Sequence, residues 1–290
     1  MISFAEALSS KRILVFDGAM GTQIAARGGE QHPVANLKTP EIVAAIHADY
    51  RDAGADVLLT NTLTANRIAL EHAGLADKLE AINRVGVELC KAAAGEKCYV
   101  CGDMCSTSKF LEPLGDYTEE QFLANFAEQA SILADGGVDA IIIETMTDVR
   151  EAAIATRAAK DATGLPVITG IAFDPAGGAF RTIMGDTIEK AVLNLATAGA
   201  DAIGINCGTI DPFEASEIIG RMRTLTDLPL VAEPNAGKPE VVAGQVLFRL
   251  SPEEFADGIV KCVEGGASLV GGCCGTTPAH IAALAGRVRG

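Results

Sequence analysis

Eight short apolar runs recur along the chain, and each is followed by a segment with the periodicity of an amphipathic helix. Alternating strands and helices favour a parallel sheet, because a helix returns the chain to the edge at which the next strand begins. Eight such units without a break in composition predict one α/β domain, a (β/α)8 TIM barrel over residues 1–290. A doubly wound sheet is the alternative, although it is normally built from fewer strands. The runs are residues 12–17, 56–61, 98–103, 139–144, 166–173, 201–206, 229–233 and 268–272.

A weak internal repeat precedes every second run. In each copy a glycine follows a helical segment, and one small or apolar residue separates it from the next strand. Glycine readily adopts the left-handed conformation that ends a helix, so we expect these positions to close helices. The four glycines are Gly54, Gly137, Gly199 and Gly266.

Local signals mark the start of several helices. Two Ser/Thr residues stand three positions before Glu or Gln, which is the spacing of a capping box. Two prolines follow a threonine, and proline is favoured at the first helical position. Polar stretches at residues 28–38 and 236–249 are predicted as long loops after the first and seventh strands. The boxes are Thr118 with Gln121 and Ser251 with Glu254, and the prolines are Pro40 and Pro278.

Charge and composition exclude several classes of function. The chain carries a formal net charge of −15 at pH 7, which disfavours binding to nucleic acid or to an anionic membrane surface. No apolar run approaches the ~20 residues of a membrane-spanning helix, and the N-terminus lacks the pattern of a signal peptide. We therefore expect a cytoplasmic protein whose eight cysteines are metal ligands or core residues rather than disulfides.

Three cysteines predict a catalytic zinc site. Cys273 and Cys274 are adjacent in a glycine-flanked segment after the eighth strand, and Cys207 ends the sixth. Neighbouring cysteines rarely form a disulfide with each other, whereas a tight turn could direct both sulfurs to one ion. Three thiolates are the ligand count of a catalytic zinc site, whose fourth position stays open for substrate. A thiolate-rich zinc favours another soft ligand there, such as a substrate thiol.

Polar side chains follow almost every predicted strand at its carboxyl end, where (β/α)8 barrels carry their active sites. Polar residues also terminate strands in proteins of any kind, so one such residue would carry little weight. Their recurrence on all eight strands favours a functional site. The residues are Asp17, Asn61, Asp103, Glu144, Asp174, Cys207, Glu233 with Asn235, and Cys273 with Cys274.

Two of these strand ends favour an amino acid as the ligand. Gly18, Ala19 and Met20 follow Asp17, and small residues after a strand let backbone N–H groups approach an anion. The segment lacks the dinucleotide fingerprint and the lysine of a P-loop, so a small carboxylate suits it better than a phosphate. Glu144 follows three isoleucines and suits an ammonium group. Together with zinc, these residues predict an amino acid that carries a thiol.

The remaining cysteines and the histidines are expected to have ordinary roles. Cys98 and Cys101 have the spacing of a redox or zinc knuckle, but residues i and i+3 of a strand face opposite sides. Cys90 and Cys262 are predicted to be buried on helices, and Cys105 to lie just past the third strand without a role. Surface positions are expected for the histidines, which are His32, His47, His72 and His280.

Seven segments carry motifs that lie in order over essentially the whole chain. They are Asp17-Gly18-Ala19-Met20-Gly21-Thr22, Thr60-Asn61-Thr62, Gly102-Asp103, Glu144-Thr145, Gly204-Ile205-Asn206-Cys207, Glu233-Pro234-Asn235-Ala236-Gly237 and Gly271-Gly272-Cys273-Cys274-Gly275-Thr276. Together they resemble the homocysteine S-methyltransferase family, and most of all the homocysteine-binding module of cobalamin-dependent methionine synthases. The resemblance implies a zinc-containing (β/α)8 barrel that methylates the thiol of homocysteine.

The resemblance also implies roles for single residues. Cys207, Cys273 and Cys274 match the zinc ligands. Glu144 matches the carboxylate that holds the substrate amino group, and residues 17–22 match the cradle of the substrate carboxylate. Asn235 matches a residue close to the open zinc position. The predicted substrate-binding set is therefore Asp17, Gly18, Ala19, Met20, Asn61, Asp103, Glu144 and Asn235.

The chain departs from the family pattern after the third strand. The family usually continues Gly-Asp with an aliphatic residue and Gly-Pro-Thr-Gly, whereas Cys105, Ser106 and Ser108 replace the glycines and proline here. Leu63 stands where an aromatic residue is common. The altered loop should border the pocket, so it bears on the thiol, the methyl donor or a partner surface. We expect no folate, cobalamin or reactivation module within these 290 residues.

The methyl donor is expected to be methylcobalamin, or a related methylcorrinoid, carried by a separate corrinoid protein. Residues 17–22 most resemble the corrinoid-linked branch of the family, and the interior of such a barrel is packed with side chains. The alternatives are an S-methylmethionine- or betaine-type donor, a different thiol acceptor, and a non-catalytic zinc- or metabolite-binding barrel. A fourth protein ligand to the metal would support the last of these, and Cys105 is the cysteine that could supply it.

Overall fold

The strands form one parallel barrel in the computed structural model, which describes residues 1–10, 12–30, 33–242 and 244–290. The eight strands are β1 (Leu14–Val15), β2 (Val57–Leu59), β3 (Tyr99–Cys105), β4 (Ala140–Met146), β5 (Val167–Ile171), β6 (Ala202–Asn206), β7 (Leu230–Glu233) and β8 (Ala267–Val270). Their order in the sheet is β1-β8-β7-β6-β5-β4-β3-β2. A parallel bridge between Phe16 and Val57 joins β1 to β2, which closes the sheet. The predicted (β/α)8 TIM barrel is confirmed.

Helices surround the strands, and the long ones alternate with them along the chain. The helices are α1 (Phe4–Ser9), α2 (Gly21–Ala26), α3 (Ala35–Lys38), α4 (Pro40–Asp52), α5 (Arg67–His72), α6 (Leu79–Ala94), α7 (Glu119–Asp135), α8 (Val149–Thr163), α9 (Ile188–Thr197), α10 (Pro212–Arg223), α11 (Pro252–Glu264) and α12 (Pro278–Arg289), with a 3-10 turn at Ala76–Lys78. Within the described residues, no helix is both long and apolar enough to cross a membrane.

The local signals read from the sequence have the predicted conformations. Both capping boxes form, at the starts of α7 and α11, and both prolines occupy the first turn of their helices. The four repeated glycines all have positive φ, where a side chain would be strained. Their φ values are 100° at Gly54, 81° at Gly137, 90° at Gly199 and 109° at Gly266.

Apolar side chains fill both the inside of the barrel and the layer between strands and helices. The interior contains alternate residues of the strands, among them Phe16, Cys101 and Ile142. Helix α1 covers its N-terminal end, where Phe4 packs edge-on against Tyr99 with ring centroids 5.3 Å apart. The interior is a packed core and not a channel, so a ligand can bind only at the ends.

Carboxylates tie the strands together at the N-terminal end of the barrel. Asp56, Asp139 and Asp201 each follow one of the repeated glycines and precede an even-numbered strand. Each accepts a hydrogen bond from an N–H near the start of the preceding odd-numbered strand, at 2.7–3.0 Å. The repeat therefore encodes a strand-to-strand link as well as a helix end. The donors are Val15, Val100 and Val167.

The two stretches predicted as long loops contain short elements. Residues 28–38 include α3, and residues 236–249 include an antiparallel hairpin of Glu240–Val242 and Gln245–Leu247. A second hairpin, Asp174–Ala176 with Ala179–Arg181, follows β5. The hairpin strands 174–176, 179–181 and 240–242 are exposed or half-buried, so hydrophobic periodicity does not mark them.

Candidate functional site

A cavity opens at the carboxyl ends of the strands, the end at which (β/α)8 barrels place their active sites. Its volume is about 190 Å³, below the ~300–1,000 Å³ of sites for drug-sized ligands. The volume suits a ligand of amino-acid size. The lining residues come from the ends of β1, β2, β3, β4 and β8, and they are Asp17, Gly18, Ala19, Met20, Gly21, Thr22, Leu59, Thr60, Leu63, Asp103, Glu144, Gly272, Cys273 and Cys274.

Three sulfur atoms meet at one side of this cavity. The Sγ atoms of Cys207, Cys273 and Cys274 all lie within 4.8 Å of one another, and these three residues are called the cysteine cluster below. Backbone hydrogen bonds to the end of β7 support them. The Cys207 N–H donates to the Glu233 carbonyl at 3.2 Å, and the Cys273 N–H donates to the Pro234 carbonyl at 2.9 Å. The end of β7 is thus the common support of ligands that are distant in sequence.

The three thiols form a set that a cation would stabilise. Hydrogen bonds from Cys207 and Cys273 lower the pKa of Cys274 to about 4. Hydrogen bonds to Cys207 and Cys274 raise the pKa of Cys273. For Cys207 the hydrogen bond with Cys273 acts to lower the pKa, but the bond with Cys274 and burial outweigh it and raise the pKa to about 12. One thiolate is favoured while two thiols resist ionisation, so a soft cation such as zinc would be needed to hold all three as thiolates.

No fourth ligand completes the cluster within the part of the chain that the structure describes. It contains no further Cys, His, Asp or Glu atom, and Cys105 is not part of it. Three protein ligands leave one position of a tetrahedral zinc for substrate, as in catalytic sites. The donor set therefore fits an open zinc site better than a closed structural one.

Glu144 faces the same cavity and is held by Asn206. The Asn206 side chain donates to the Glu144 carboxylate at 3.1 Å and to the Thr145 hydroxyl at 2.9 Å, and it accepts from the Thr145 N–H at 2.7 Å. Burial, followed by the electrostatic interaction with Cys207, raises the pKa of Glu144 to about 8. A carboxylate so short of partners would gain from a cationic ligand such as an ammonium group.

Further buried carboxylates lie near Glu144. Burial, the largest cause, raises the pKa values of Asp17, Asp103 and Glu233 well above their ordinary range. Asp17 accepts a hydrogen bond from the Leu59 N–H at 3.0 Å, but one oxygen each of Asp103 and Glu233 has no hydrogen-bond partner. Unpartnered buried oxygens are unfavourable; of these two residues, Asp103 lines the cavity and Glu233 does not.

The backbone at this end of the barrel is also strained. Within the described residues, the non-glycine positions with positive φ are Ser108, Thr145 and Cys207, at 55–57°. All three lie close to the carboxyl ends of strands, at the cavity end of the barrel. Such conformations cost ~1–3 kcal/mol each and cluster at functional sites, so the strain agrees with the location of the site.

Comparison with known proteins assigns the family. The family model described as homocysteine S-methyltransferase matches residues 14–288, which is nearly the whole barrel. The chain belongs to the homocysteine S-methyltransferase family. The resemblance read from the seven sequence motifs is thereby confirmed.

Two kinds of relative resemble this chain. It is 35% identical to a methionine synthase of Mycobacterium tuberculosis and 34% identical to one of Mycobacterium leprae, over 96% of this chain. The chain spans about a quarter of the length of these relatives, 25% and 24%. The metallated form of the homocysteine methyltransferase MmuM from Escherichia coli superimposes with a TM-score of 0.79 at 26% identity, over 97% of this chain and 98% of that one.

Most residues predicted from the family motifs line the cavity, but Cys207, Asn61 and Asn235 do not. Asn61 is buried behind it, and its side chain donates to Asn36 at 2.7 Å. Asn235 donates to the Gly208 carbonyl at 2.8 Å, next to Cys207, while its buried Oδ1 has no partner. Asn61 therefore supports the strand ends, and Asn235 adjoins the cysteine cluster.

The other cysteines and the histidines have mixed outcomes. Cys98 and Cys101 are buried and lie outside the cysteine cluster, and Cys90 and Cys262 are buried on helices as predicted. Cys105 is the last residue of β3 rather than a residue beyond it. The surface prediction is wrong for His47 and His280, which are buried, because each lies on the inner face of its helix; His72 is exposed, and His32 lies outside the described residues.

The loop that departs from the family pattern is anchored by a carboxylate the sequence did not single out. Glu151 on α8 accepts hydrogen bonds of 2.7 Å from the Ser106 hydroxyl, the Thr107 N–H and the Thr107 hydroxyl. Serine at position 106 supplies a donor that proline lacks. Of the three hydrogen bonds, the one from Ser106 comes from a residue that departs from the family pattern.

Sequence reasoning missed three further residues at the site. Asn206 holds Glu144, while Tyr50 and Thr276 hold the loop of residues 17–22. Asn206 and Thr276 lie inside quoted motifs, so their position close to predicted metal ligands was the available signal. Tyr50 lies on α4 with no local motif, and only packing brings it to the site.

Proposed function

We propose that this chain is a zinc-dependent S-methyltransferase that moves a methyl group to the thiol of homocysteine and so forms methionine. The observation that carries the proposal is the meeting of three sulfurs, all within 4.8 Å of one another, with the buried Glu144 and the loop of residues 17–22 at one small cavity. A thiol site and an amino-acid site side by side fit a thiol amino acid. The names of the relatives, methionine synthase and homocysteine methyltransferase, agree with it.

The substrate would be held at three points. Its ammonium group would neutralise Glu144, which Asn206 orients. Its carboxylate would approach the start of α2, where no side chain caps the free N–H groups of the first turn, a position that favours negative charge. Its thiol would reach the three cysteines. Three anchors fix both the position and the direction of the sulfur.

The protein would promote the reaction mainly by positioning the substrate sulfur. Zinc held by Cys207, Cys273 and Cys274 would favour the thiolate form of the substrate. A free thiol with a pKa near ~8.5 is already a few per cent thiolate at neutral pH, so complete ionisation gives only ~10–30-fold, under ~2 kcal/mol. The larger share must come from holding the sulfur in line with the methyl carbon. No side chain is needed as a general base.

A methylcorrinoid on a separate protein is the proposed donor. The cavity of about 190 Å³ has no room for a corrinoid, so such a donor would have to dock over the barrel mouth. The loops beside the cavity offer an apolar surface, with Phe110 53% exposed and Ile183 76% exposed. They border an open depression of about 440 Å³ that also includes Thr145, the neighbour of Glu144. Exposed apolar side chains grouped at a mouth favour a macromolecular partner.

A small donor, of the S-methylmethionine or betaine type, is the second candidate. The observation that favours it is the match to MmuM, of which this chain covers 98%. A homocysteine methyltransferase of the same extent as this barrel therefore exists. The depression beside Thr145 would then receive the small donor instead of a protein surface.

A donor assay with two surface variants separates the candidates. Zinc-loaded protein and homocysteine are incubated with a methylated corrinoid protein, free methylcobalamin or S-methylmethionine, and methionine is measured. We expect turnover from the corrinoid protein near ~1 s⁻¹ or above, the range of natural substrates. Ile183→Asp should lower that rate at least ~10-fold without changing the rate with free methylcobalamin, and Leu193→Asp, equally exposed on α9 (68%), should change neither.

Other results would change the assignment. Turnover with S-methylmethionine at such rates, with none from either corrinoid, would establish the small donor. Methylation of another thiol in preference to homocysteine would reassign the acceptor. No methyl transfer from any donor, with zinc fully bound, would leave the non-catalytic barrel as the function.

A further inference from the structure

One buried hydroxyl connects the cysteine cluster to the loop of residues 17–22. The Thr276 Oγ1 accepts a hydrogen bond from the Ala19 N–H at 2.9 Å and donates one to the Cys273 carbonyl at 2.7 Å. Thr276 has no exposed surface. A continuous chain of hydrogen bonds therefore runs from the loop after β1 to Cys273 of the cysteine cluster, after β8.

Two glycines leave the space that the Thr276 side chain occupies. A Cβ at Gly18 would lie 2.6 Å from the Thr276 Oγ1, and a Cβ at Gly272 would lie 2.5 Å from the Thr276 Cγ2. Both distances are shorter than any normal contact, so only glycine fits at either position. One glycine from each motif thus makes room for the same threonine side chain.

Tyr50 holds the same link from its other side. The Tyr50 hydroxyl donates to the Ala19 carbonyl at 2.9 Å and lies 3.3 Å from the Thr276 carbonyl. Ala19 is therefore held through both its N–H and its carbonyl. Neither Tyr50 nor Thr276 lines the cavity, so they act on a ligand only through the two loops.

We infer that Thr276 is a positioning residue that sets the distance between the thiol-binding and carboxylate-binding parts of the site. The inference rests on the proposed function. Because the two anchors of the substrate lie on the two linked loops, their separation must match the length of the amino-acid side chain. Thr276 thereby selects homocysteine over cysteine, which is one methylene shorter. A single methylene in a fitted site is worth ~10–200-fold in discrimination.

Two substitutions isolate the hydroxyl. Thr276→Val keeps the branched shape and removes both hydrogen bonds, whereas Thr276→Ser keeps the hydroxyl and loses only the methyl group. Thr156→Val is the matched control, because Thr156 is another fully buried threonine with two hydrogen bonds, and it lies on α8, outside the cavity lining and both linked loops. Tyr50→Phe is the second variant, to be read if Thr276→Val does not fold, since it weakens the same link without touching the threonine.

The measurement is thiol binding to the cobalt(II)-substituted protein, followed by the change in thiolate-to-cobalt absorption. We expect wild type and Thr276→Ser to prefer homocysteine over cysteine by at least ~10-fold. Thr276→Val should bind one cobalt per chain and lose at least ~5-fold of that preference, with Tyr50→Phe changed in the same direction. Hydrogen exchange of residues 17–22 should be faster in Thr276→Val, whereas Thr156→Val should change neither quantity.

The outcomes distinguish a failure of this inference from a failure of the proposed function. If wild type responds to homocysteine but Thr276→Val, or Tyr50→Phe in its place, keeps the same preference, the inference is wrong and the function stands. Equal weakening of both thiols would show a merely structural role and would also overturn it. If wild type binds cobalt and responds to neither thiol, the proposed function fails, and the inference fails with it.

Discussion

The two ends of the barrel use buried carboxylates in opposite ways. At the N-terminal end Asp56 accepts from the Val15 N–H at 3.0 Å and pairs with Arg12 and Arg289. At the C-terminal end Asp103 and Glu233 are as deeply buried, yet each has an oxygen without a hydrogen-bond partner. The same chemical group is satisfied by the fold at one end and left in need of a partner at the other.

The difference separates stability from function within one fold. A carboxylate with backbone donors and guanidinium partners favours the folded state, whereas a buried carboxylate without them opposes it. Such an arrangement persists where a ligand supplies the missing charge. The three cysteines follow the same logic, because three thiolates within 4.8 Å of one another would repel each other unless a cation lay between them.

The strongest test removes the cation site itself. Cys273→Ala should abolish tight zinc binding and methyl transfer, because two remaining thiolates do not make a catalytic zinc site. Cys101→Ala, a change inside the barrel that touches no predicted ligand, should keep one zinc per chain. Metal content after exhaustive dialysis, together with circular dichroism to verify folding, gives the answer. Full zinc occupancy in Cys273→Ala would remove Cys273 from the ligand set.

The next test concerns the proposed ammonium partner. Glu144→Gln should weaken homocysteine binding by ~1.5–3 kcal/mol, about 10- to 150-fold, the size of a charge-assisted hydrogen bond. Zinc content should not change. Calorimetric titration with homocysteine measures this, and Asp56→Asn at the other end of the barrel should leave the affinity unaltered.

The same variant predicts a pH signature. Burial raises the pKa of Glu144 to about 8, so below that pH the group must lose a proton before it can bind an ammonium ion. Affinity of the wild type should therefore increase as the pH rises from 6 towards 8, and this increase should be smaller in Glu144→Gln, where only the ionisation of the substrate thiol still depends on pH. An affinity that falls over this range in the wild type would contradict the assignment.

The smallest expected effect is on stability. The pKa of Glu233 is raised in the folded state by burial, so its contribution to stability is lost as the pH rises above the unfolded value of ~4.3. Glu233→Gln should raise the free energy of unfolding at pH 8 by ~1–3 kcal/mol relative to wild type, with little change near pH 4.5. Asp56→Asn should instead lower it by a similar amount at pH 8, because the Val15 N–H and two arginines lose their charged partner.

Urea denaturation of the metal-free proteins at both pH values measures these differences. If both variants shift stability in the same direction, the contrast between the two ends of the barrel does not hold.

Features that depend on a few neighbouring residues could be predicted from the sequence. The strands, the capping boxes and the four glycines with positive φ all follow from local periodicity and backbone preference. His47 shows the limit of this reasoning, because it lies on a helix face that only the packing against the barrel buries. Asn61 shows another, since its contact with Asn36 lies across a loop that no local pattern describes.

The sequence by itself determined the (β/α)8 barrel, the end of the barrel at which the polar residues gather, and which three cysteines meet there. Strand and helix periods depend on adjacent residues, and a parallel barrel brings all carboxyl ends of its strands to one side. Only the tertiary structure decided which polar groups are satisfied. Whether Asp103 and Glu233 lack partners, whether Asn206 reaches Glu144, and whether Thr276 bridges two loops depend on distances between segments far apart in the chain. Those distances are set by the packing of the closed barrel, and no short window of sequence contains them.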